Sequence, residues 1–339
     1  MDFLRQLNSD VKPIYLFYGD ESYLKDIWQS EIINRVLSPA TKGLNLEISE
    51  GKGIEIAKTI ELAQSLPFMA EHRLFILKNG SFFESANKTN AEAFLSSLKD
   101  IPESSIFILV EQNIDKRTKL YKHITKTGLI LEAVLPTEAV LASWIVDICK
   151  SSNKQLSNAT AIKAIRQLPQ NMYSIKNEIE KLIIYIGDEK LINFDHIEQV
   201  CTKSLQAKIF ELTKAIANKN IQKAQKEYAN LIALRESPLM VISMIARQFR
   251  LALQCYSLAK ASTQKEIAAS LALPSFAIKE YTEMGKSFGA TTMANMLKLC
   301  LETDYKIKTG GIAAELGVQI LIVHSIKNFT NNTPSLKQF

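Results

Sequence analysis

Short apolar runs alternate with segments of helical spacing through the first part of the chain, and this alternation limits the possible folds most strongly. The runs typical of strands are 14–18, 44–48, 73–77, 106–110 and 129–131. The segments with helical spacing between them are 21–37, 54–62, 91–98 and 116–126. Because successive parallel strands need a crossover helix, this order predicts an α/β domain whose parallel sheet is covered on both faces.

The pattern changes after Leu135-Pro136, and only helices are predicted beyond that point. Their predicted ranges are 138–150, a helix capped by Ser157, 171–186, 238–258, 291–308 and 312–328. A chain of 339 residues is too long for one hydrophobic core. We therefore predict an α/β plus all-α architecture. Its predicted parts are an α/β domain at 1–136, a three-helix domain at 137–204, a larger helical domain at 205–329 and a flexible tail at 330–339.

The cysteines, histidines and apolar stretches indicate a cytoplasmic protein. The N-terminus has no apolar run typical of a signal peptide, and no stretch approaches the ~20 apolar residues of a membrane helix. The four cysteines lie far apart and form no C-x-x-C pair, and the four histidines are equally scattered. These patterns predict structural side chains in a reducing compartment, with no metal site, no disulfide and no catalytic histidine.

Charge is distributed unevenly along the chain. Residues 211–339 contain 16 Lys and Arg against nine Asp and Glu, whereas the whole chain has a net charge of +6. Two interpretations of this basic part stay open. It could face DNA phosphates or an acidic partner, or its lysines could be the solvated faces of amphipathic helices.

The first predicted strand leads into the turn Gly19-Asp20-Glu21, where a nucleotide-binding α/β domain carries its phosphate-binding loop. Such a loop supplies successive backbone N–H groups, a lysine for the phosphates and a hydroxyl for magnesium. This turn has one glycine and no Gly-Lys-Ser/Thr, and its two carboxylates would repel ATP. After the strand at 106–110 comes Glu111-Gln112, which is not an acidic pair that could hold a magnesium-bound water. The sequence therefore predicts a nucleotide-binding fold that does not bind ATP.

Five segments carry recognisable strings in a fixed order along the chain. They are the opening strand and G-D-E turn at 14–24, S-L-P-F-M-A-E-H-R-L at 65–74, D-K-R-T-K-L-Y-K at 115–122, I-A-R-Q-F-R at 245–250 and D-Y-K-I-K-T-G at 304–310. In their order and spacing, these segments together resemble the delta subunits of the bacterial DNA polymerase III clamp loader.

The resemblance implies a degenerate AAA+ module at 1–136, a helical lid at 137–204 and a helical collar at 205–329 that joins a five-subunit ring. It also implies a subunit that binds the beta sliding clamp and opens one clamp interface, while other subunits hydrolyse ATP. The implied partners are the beta sliding clamp, the gamma/tau and delta prime subunits, and primer-template DNA within the complex. The resemblance implies no cofactor and no catalysis by this chain, which would be a nucleotidyltransferase only as part of the polymerase III holoenzyme.

In this family the clamp-binding residues lie on the short element before the strand that begins at Arg73, which places them on Leu66, Phe68 and Met69. Pro67 restricts Leu66 to an extended conformation, which could present this segment outward. By the family pattern, Phe68 and Met69 would fill the clamp pocket and Leu66 would be the neighbouring wedge. The alternative is that the three residues pack into the core of the domain.

Two charged clusters have open interpretations. Asp115-Lys116-Arg117 lacks a partner histidine or second carboxylate, so we interpret it as a helix start or a subunit contact and not as a catalytic site. Arg247 and Arg250 lie on one face of a helix, and either contact neighbours in the collar or are solvated.

Two other classes of function compete with a clamp-binding subunit. One is an atypical ATPase, which nucleotide binding by the isolated chain would reveal. The other is a DNA-binding AAA+-like adaptor that uses the basic C-terminal part, which salt-dependent DNA affinity would reveal.

Overall fold

The computed structural model describes residues 3–7, 10–84, 88–271, 273 and 275–331. The chain forms two compact units. The first comprises Met1–Pro136, Ser143–Ser152 and Gln170–Glu180, and the second comprises Thr137–Ala142, Asn153–Pro169 and Lys181–Phe339. Since the segment from 137 to 180 contributes to both units, the domain boundaries at 136 and 204 stay predictions.

Helices lie between the strands of the sheet at the four places that the sequence predicts, whereas the short helix Lys42–Asn45 was not predicted. Along the chain, a 3₁₀ helix at Phe3–Leu7 is followed by α1 (Ser22–Val36), α2 (Lys42–Asn45), α3 (Ile56–Gln64), α4 (Lys88–Ser97), α5 (Lys119–Thr127), α6 (Glu138–Ser151), α7 (Asn158–Gln167), α8 (Met172–Ile186), α9 (Phe194–Val200), α10 (Leu205–Ala217), α11 (Ile221–Ala233), α12 (Pro238–Leu258), α13 (Gln264–Leu271), α14 (Ser275–Lys308) and α15 (Ala314–Asn331).

A five-stranded parallel sheet forms the centre of the first unit. Its strands lie in the order β2-β3-β4-β1-β5, and neighbouring strands run parallel. Every residue of β1 and β4 is buried, as expected for runs of Ile, Leu and Phe in a sheet covered on both faces. The structure therefore confirms the predicted parallel sheet. The strands are β1 (Ile14–Tyr18), β2 (Leu46–Glu50), β3 (Arg73–Lys78), β4 (Ser105–Glu111) and β5 (Leu129–Glu132).

Aromatic side chains pack against both faces of the sheet. The rings of Phe75 and Phe107 stack at 5.1 Å, and Phe94 of α4 meets Phe107 edge-on at 5.2 Å. Trp28 of α1 packs 5.5 Å from Phe17. Each of these rings is fully buried and contributes roughly 1.5–3 kcal/mol of hydrophobic stabilisation. The rigid sheet fixes the segments that leave its two ends.

Two functional candidates lie at opposite ends of this sheet. Parallel strands place all their amino ends on one side and all their carboxyl ends on the other. The turn at Gly19 follows the carboxyl end of β1, and Glu111 ends β4 on the same side. The segment from Ser65 to His72 leads into the amino end of β3. The predicted contact residues are therefore remote from the position of a nucleotide site in such a fold.

The prediction for the second strand is wrong by two residues. The predicted strand began at Leu44, whereas β2 begins at Leu46. Leu44 and Asn45 belong instead to α2, and the amide of Asn45 donates to the carbonyl oxygen of Thr41 at 3.0 Å. The alternation of Leu44, Leu46 and Ile48 imitates a longer strand, because a one-turn helix is too short to show its own period.

The region from 137 to 204 contains four helices, α6 to α9, and not three helices alone. It also contains the parallel strands β6 (Gln155–Leu156) and β7 (Leu191–Ile192). Asn193 caps α9 by accepting a hydrogen bond from the backbone N–H of His196 at 2.9 Å. Two-residue strands and a seven-residue helix are too short for hydrophobic periodicity to reveal.

From Leu205 onward the described chain is helical, as predicted. Helix α12 has the predicted bounds, and α14 continues across a kink at Gly289, whose φ of 73° favours glycine. The last helix reaches Asn331, and the rest of the predicted tail lies outside the described residues. The core of these helices is built around residues including Ile245, Phe249, Ala252, Ile278, Met293, Met296, Val318 and Ile322.

Candidate functional site

The three predicted contact residues are exposed in the connection between α3 and β3. The exposed fraction is 82% for Leu66, 58% for Phe68 and 82% for Met69. Three large apolar side chains are therefore exposed close together on one short segment. The alternative that these residues pack into the core is wrong. We call Leu66, Phe68 and Met69 the apolar tip.

Two polar residues fasten the base of this connection. The hydroxyl of Ser65, which follows α3, donates to the carbonyl oxygen of Leu62 at 2.6 Å. The guanidinium of Arg73 donates to the Ser65 hydroxyl at 2.6 Å and lies 5.7 Å from the ring of Phe75. Ser65 and Arg73 are the two polar ends of the segment S-L-P-F-M-A-E-H-R, so their contact gives the spacing of this segment a structural reason.

A third polar residue, Asn45, holds the middle of the connection. Its amide donates to the carbonyl oxygen of Phe68 at 2.9 Å, and its side-chain oxygen accepts from the Phe68 backbone N–H at 2.8 Å. Asn45 is 23 residues away from Phe68 in the sequence. The sequence interpretation missed this residue, because a lone Asn beside a predicted strand carries no signal of such a distant contact.

At the opposite end of the sheet, Glu21 occupies the start of α1. One oxygen of its carboxylate accepts from the backbone N–H of Tyr23 at 3.3 Å, and the other accepts from the N–H of Met172 at 3.2 Å. Tyr23 and Met172 lie in the first turns of α1 and α8, where free N–H groups attract anions. A carboxylate of the protein itself thus fills the position that suits a phosphate.

Gly19 and Lys25 fix the backbone of the same turn. Gly19 has a φ of 118°, and a side chain there would lie 2.4 Å from the carbonyl oxygen of Ala133. The ammonium group of Lys25 donates to the carbonyl oxygen of Gly19 at 2.7 Å and to that of Glu111 at 3.5 Å. Burial lowers the pKa of Lys25 below its ordinary value. The buried cation is used inside the turn and is not presented to a ligand.

Glu111, at the end of β4, holds the loop that follows β3. Its carboxylate accepts a hydrogen bond from the backbone N–H of Phe82 at 3.3 Å, and the N–H groups of Ser81 and Gly80 also bond to it. Burial is the main cause that raises the pKa of Glu111 to about 7. This carboxylate therefore has a structural role, because it ties the end of β4 to the loop that follows β3.

Replacing Glu111 with Gln should change how folding stability depends on pH. The folded state holds this proton more tightly than the unfolded state, whose pKa is near 4.5. The contribution of the protonated Glu111 carboxyl to the folding stability of wild type is therefore fully present below pH 4.5. It is lost as the pH rises through about 7. The variant should lack this decline and be more stable than wild type at pH 8 by on the order of 2 kcal/mol.

Urea denaturation of both proteins at pH 5, 6, 7 and 8 measures this difference. The advantage of Glu111→Gln over wild type should grow with pH. Parallel stability curves for the two proteins would show that Glu111 does not titrate in this range.

The other charged clusters have structural or exposed positions. Asp115 and Arg117 form a two-pronged ion pair, with their closest atoms 2.8 Å apart, and the pair holds the pKa of Asp115 down at about 2. Thr118 caps α5 by accepting from the N–H of Tyr121, so the helix begins at Lys119 and not at the predicted 116. Arg247 and Arg250 are exposed on α12, which leaves both interpretations of this pair open.

The cysteines are buried, and the possible metal ligands lie apart from one another in the described part of the chain. All four cysteines are buried, and burial raises the pKa of Cys149 to about 11 and that of Cys300 to about 12. Among the residues that the structure describes, no three His, Cys, Asp or Glu side chains are placed to hold a metal ion. Within the same ranges, no helix combines the length and apolar character needed to cross a membrane.

Known proteins resemble this chain over three quarters of its length or more. DNA polymerase III subunit delta of Bacillus subtilis (strain 168) is 28% identical over 333 residues, which cover 96% of each chain. The probable DNA polymerase III subunit delta of Aquifex aeolicus (strain VF5) is 21% identical over 259 residues, which cover 75% of this chain and 72% of that protein. The solved structure of the Bacillus subtilis DNA clamp loader delta protein matches with a TM-score of 0.64 and 27% identity, covering 95% of this chain and 97% of that one.

Two family models match consecutive parts of the chain. The model described as DNA polymerase III, delta subunit, matches residues 15–134, which include the sheet and the apolar tip. The model described as DNA polymerase III delta subunit, C-terminal domain, matches residues 206–325, which include α10 to α14 and most of α15. Both models describe parts of the same subunit, and the chain belongs to the family of DNA polymerase III delta subunits.

Proposed function

We propose that this chain binds the beta sliding clamp through the apolar tip and opens one interface of the clamp ring. The observation that carries this proposal is the exposure of Leu66, Phe68 and Met69 on a connection fastened at its base and middle. Aromatic and methionine side chains of this kind are typical anchors in the pockets of protein partners. Phe68 and Met69 fill the clamp pocket, and Leu66 is the adjacent wedge.

Family membership fits a role in the loading of clamps during DNA replication, which is the role named for the Bacillus subtilis relative. Such a subunit works with other components of the replication complex. Within this proposal, α10 to α15 form the collar that binds the gamma/tau and delta prime subunits. As a clamp-loader subunit, the chain works in the cytoplasm as part of the polymerase III holoenzyme. There it lies next to primer-template DNA.

The energy of ATP enters this process through other subunits. Glu21 occupies the helix N-termini with its own carboxylate, and Lys25 is bonded to carbonyl groups of the turn. A nucleotide would have to displace the Glu21 carboxylate from the helix N-termini and Lys25 from the carbonyl groups. Its negatively charged phosphates would then lie close to the Glu21 carboxylate and be repelled by it. This arrangement supports a chain that binds the clamp without nucleotide and argues against the atypical ATPase.

A clamp labelled with a fluorophore pair across one subunit interface tests the proposed opening. Adding the isolated chain without ATP should lower energy transfer between the fluorophores, because the wedge separates the two clamp subunits. Added ATP should not change the size of this effect. Clamp binding with unchanged energy transfer would contradict the opening step, and absence of clamp binding would contradict the whole proposal.

A further inference from the structure

The connection that carries the apolar tip has no regular secondary structure of its own, so something outside it must fix its conformation. Between Ser65 and Arg73, the backbone continues neither α3 nor β3. Met69 adopts a φ of 51°, which is uncommon for a residue with a side chain. A connection in this conformation needs a specific restraint, since a free segment would sample many alternatives.

Asn45 supplies that restraint with every hydrogen-bonding group of its side chain. The NH₂ group donates to the carbonyl oxygens of Thr41 and Phe68 at 3.0 and 2.9 Å, and the side-chain oxygen accepts from the Phe68 N–H at 2.8 Å. Both backbone groups of Phe68 are therefore bonded to one side chain. A side-chain amide offers a donor and an acceptor side by side in this way, whereas an ionised carboxylate offers acceptors alone.

Burial makes these hydrogen bonds hard to replace. Asn45 is 1% exposed, so water cannot easily take over its contacts with Phe68. Asn45 itself sits at the end of α2, whose start is fixed by a hydrogen bond of 2.9 Å between the hydroxyl groups of Ser38 and Thr41. One buried side chain thus holds the backbone of Phe68, while the Phe68 side chain stays 58% exposed.

We infer that Asn45 is a positioning residue for clamp recognition, which rests on the proposed function of the apolar tip. Asn45 is buried and is not part of the exposed contact surface. It acts by keeping the connection in one conformation, so that the three apolar side chains meet the clamp without a loss of backbone freedom at binding. Such preorganisation raises affinity by lowering the entropic cost of association.

Hydrogen exchange of the wild-type chain provides the first test. The backbone N–H of Phe68 lies in an exposed connection, yet it should exchange slowly because Asn45 accepts its hydrogen bond. In Asn45→Ala this protection should be lost, while the amides of β3 stay protected. A Phe68 amide that exchanges at the rate of an unstructured peptide in wild type would overturn the inference without any variant.

Affinity for the purified sliding clamp provides the second test. Asn45→Ala and Asn45→Asp should each lower the affinity by about tenfold, since neither side chain can hold both backbone groups of Phe68. Gln29→Ala is the matched control: Gln29 is also a buried amide of the first unit, and its NH₂ group donates within α1 to Lys25 and Asp26. This control should lose some stability and keep wild-type clamp affinity.

A double-mutant cycle with Phe68→Ala separates positioning from general damage. If Asn45 acts through the tip, Asn45→Ala should lower clamp affinity less in the Phe68→Ala background than in wild type, because one of the three positioned side chains is already missing. Additive effects of the two substitutions would contradict the inference. Loss of affinity in Phe68→Ala but not in Asn45→Ala would sink the inference alone, whereas unchanged affinity in Phe68→Ala would sink the proposed function.

Discussion

Replacing Phe68 and Met69 with alanine should lower the affinity for the sliding clamp by about a hundredfold or more. Both side chains are exposed in the free chain, at 58% and 82%, so their apolar area is removed from water only in the complex. Truncation of such anchors costs ~2–4 kcal/mol of binding free energy, and 1.4 kcal/mol corresponds to a factor of ten. The melting temperature should hardly change, because no core contact is lost.

A matched pair of exposed apolar residues controls for the loss of surface area as such. Ile184 and Tyr185, at the end of α8, are 80% and 60% exposed. The variant Ile184→Ala/Tyr185→Ala removes similar side chains from a different surface and should bind the clamp like wild type. A fall in melting temperature by many degrees with intact clamp binding in Phe68→Ala/Met69→Ala would contradict the assignment of the tip.

Replacing Phe249 with alanine should lower folding stability and leave clamp affinity unchanged, which is the opposite of the result expected for Phe68→Ala/Met69→Ala. Phe249 of α12 is fully buried in the helical core, and its ring meets that of Phe288 edge-on at 5.4 Å. Truncating a core phenylalanine removes apolar contacts and leaves a cavity, which costs ~3–5 kcal/mol of unfolding free energy. Urea denaturation followed by circular dichroism measures this loss.

Clamp affinity of the folded Phe249→Ala protein should stay near the wild-type value, because the substitution lies outside the first unit that carries the tip. The same chemical change thus lowers affinity at position 68 and stability at position 249. A stable Phe249→Ala protein would show that the helical core is not packed as described. A folded variant that no longer binds the clamp would show that the tip alone does not determine recognition.

The three central strands of the sheet, β3, β4 and β1, could be predicted from the sequence because their residues are almost continuously apolar. The runs beginning at Ile14, Arg73 and Ile106 are bounded by clear turn residues, and each lies within a residue or two of the observed strand. The long helix opened by Pro238 was equally clear, since proline is favoured at a helix start. Short elements such as α2, α9, β6 and β7 lack enough residues to show a period.

The candidate site could be predicted only in part. The exposed residues of the tip carry a recognisable string, and the acidic turn at Glu21 predicted a fold that does not bind ATP. The roles of Asn45 and Glu111 could not be predicted, because each depends on contacts with residues distant in the sequence: Asn45 bonds to Phe68, and Glu111 bonds to Phe82. Such contacts depend on the packing of strands and loops and not on local pattern.

Calorimetric titration of the purified sliding clamp with this chain, in the absence and presence of ATP, tests the central claim most directly. The proposed function predicts saturable binding without nucleotide and an unchanged affinity when ATP is added, because the turn at Gly19 is closed by Glu21 and Lys25. Failure to bind the clamp, or binding that requires ATP, would contradict it.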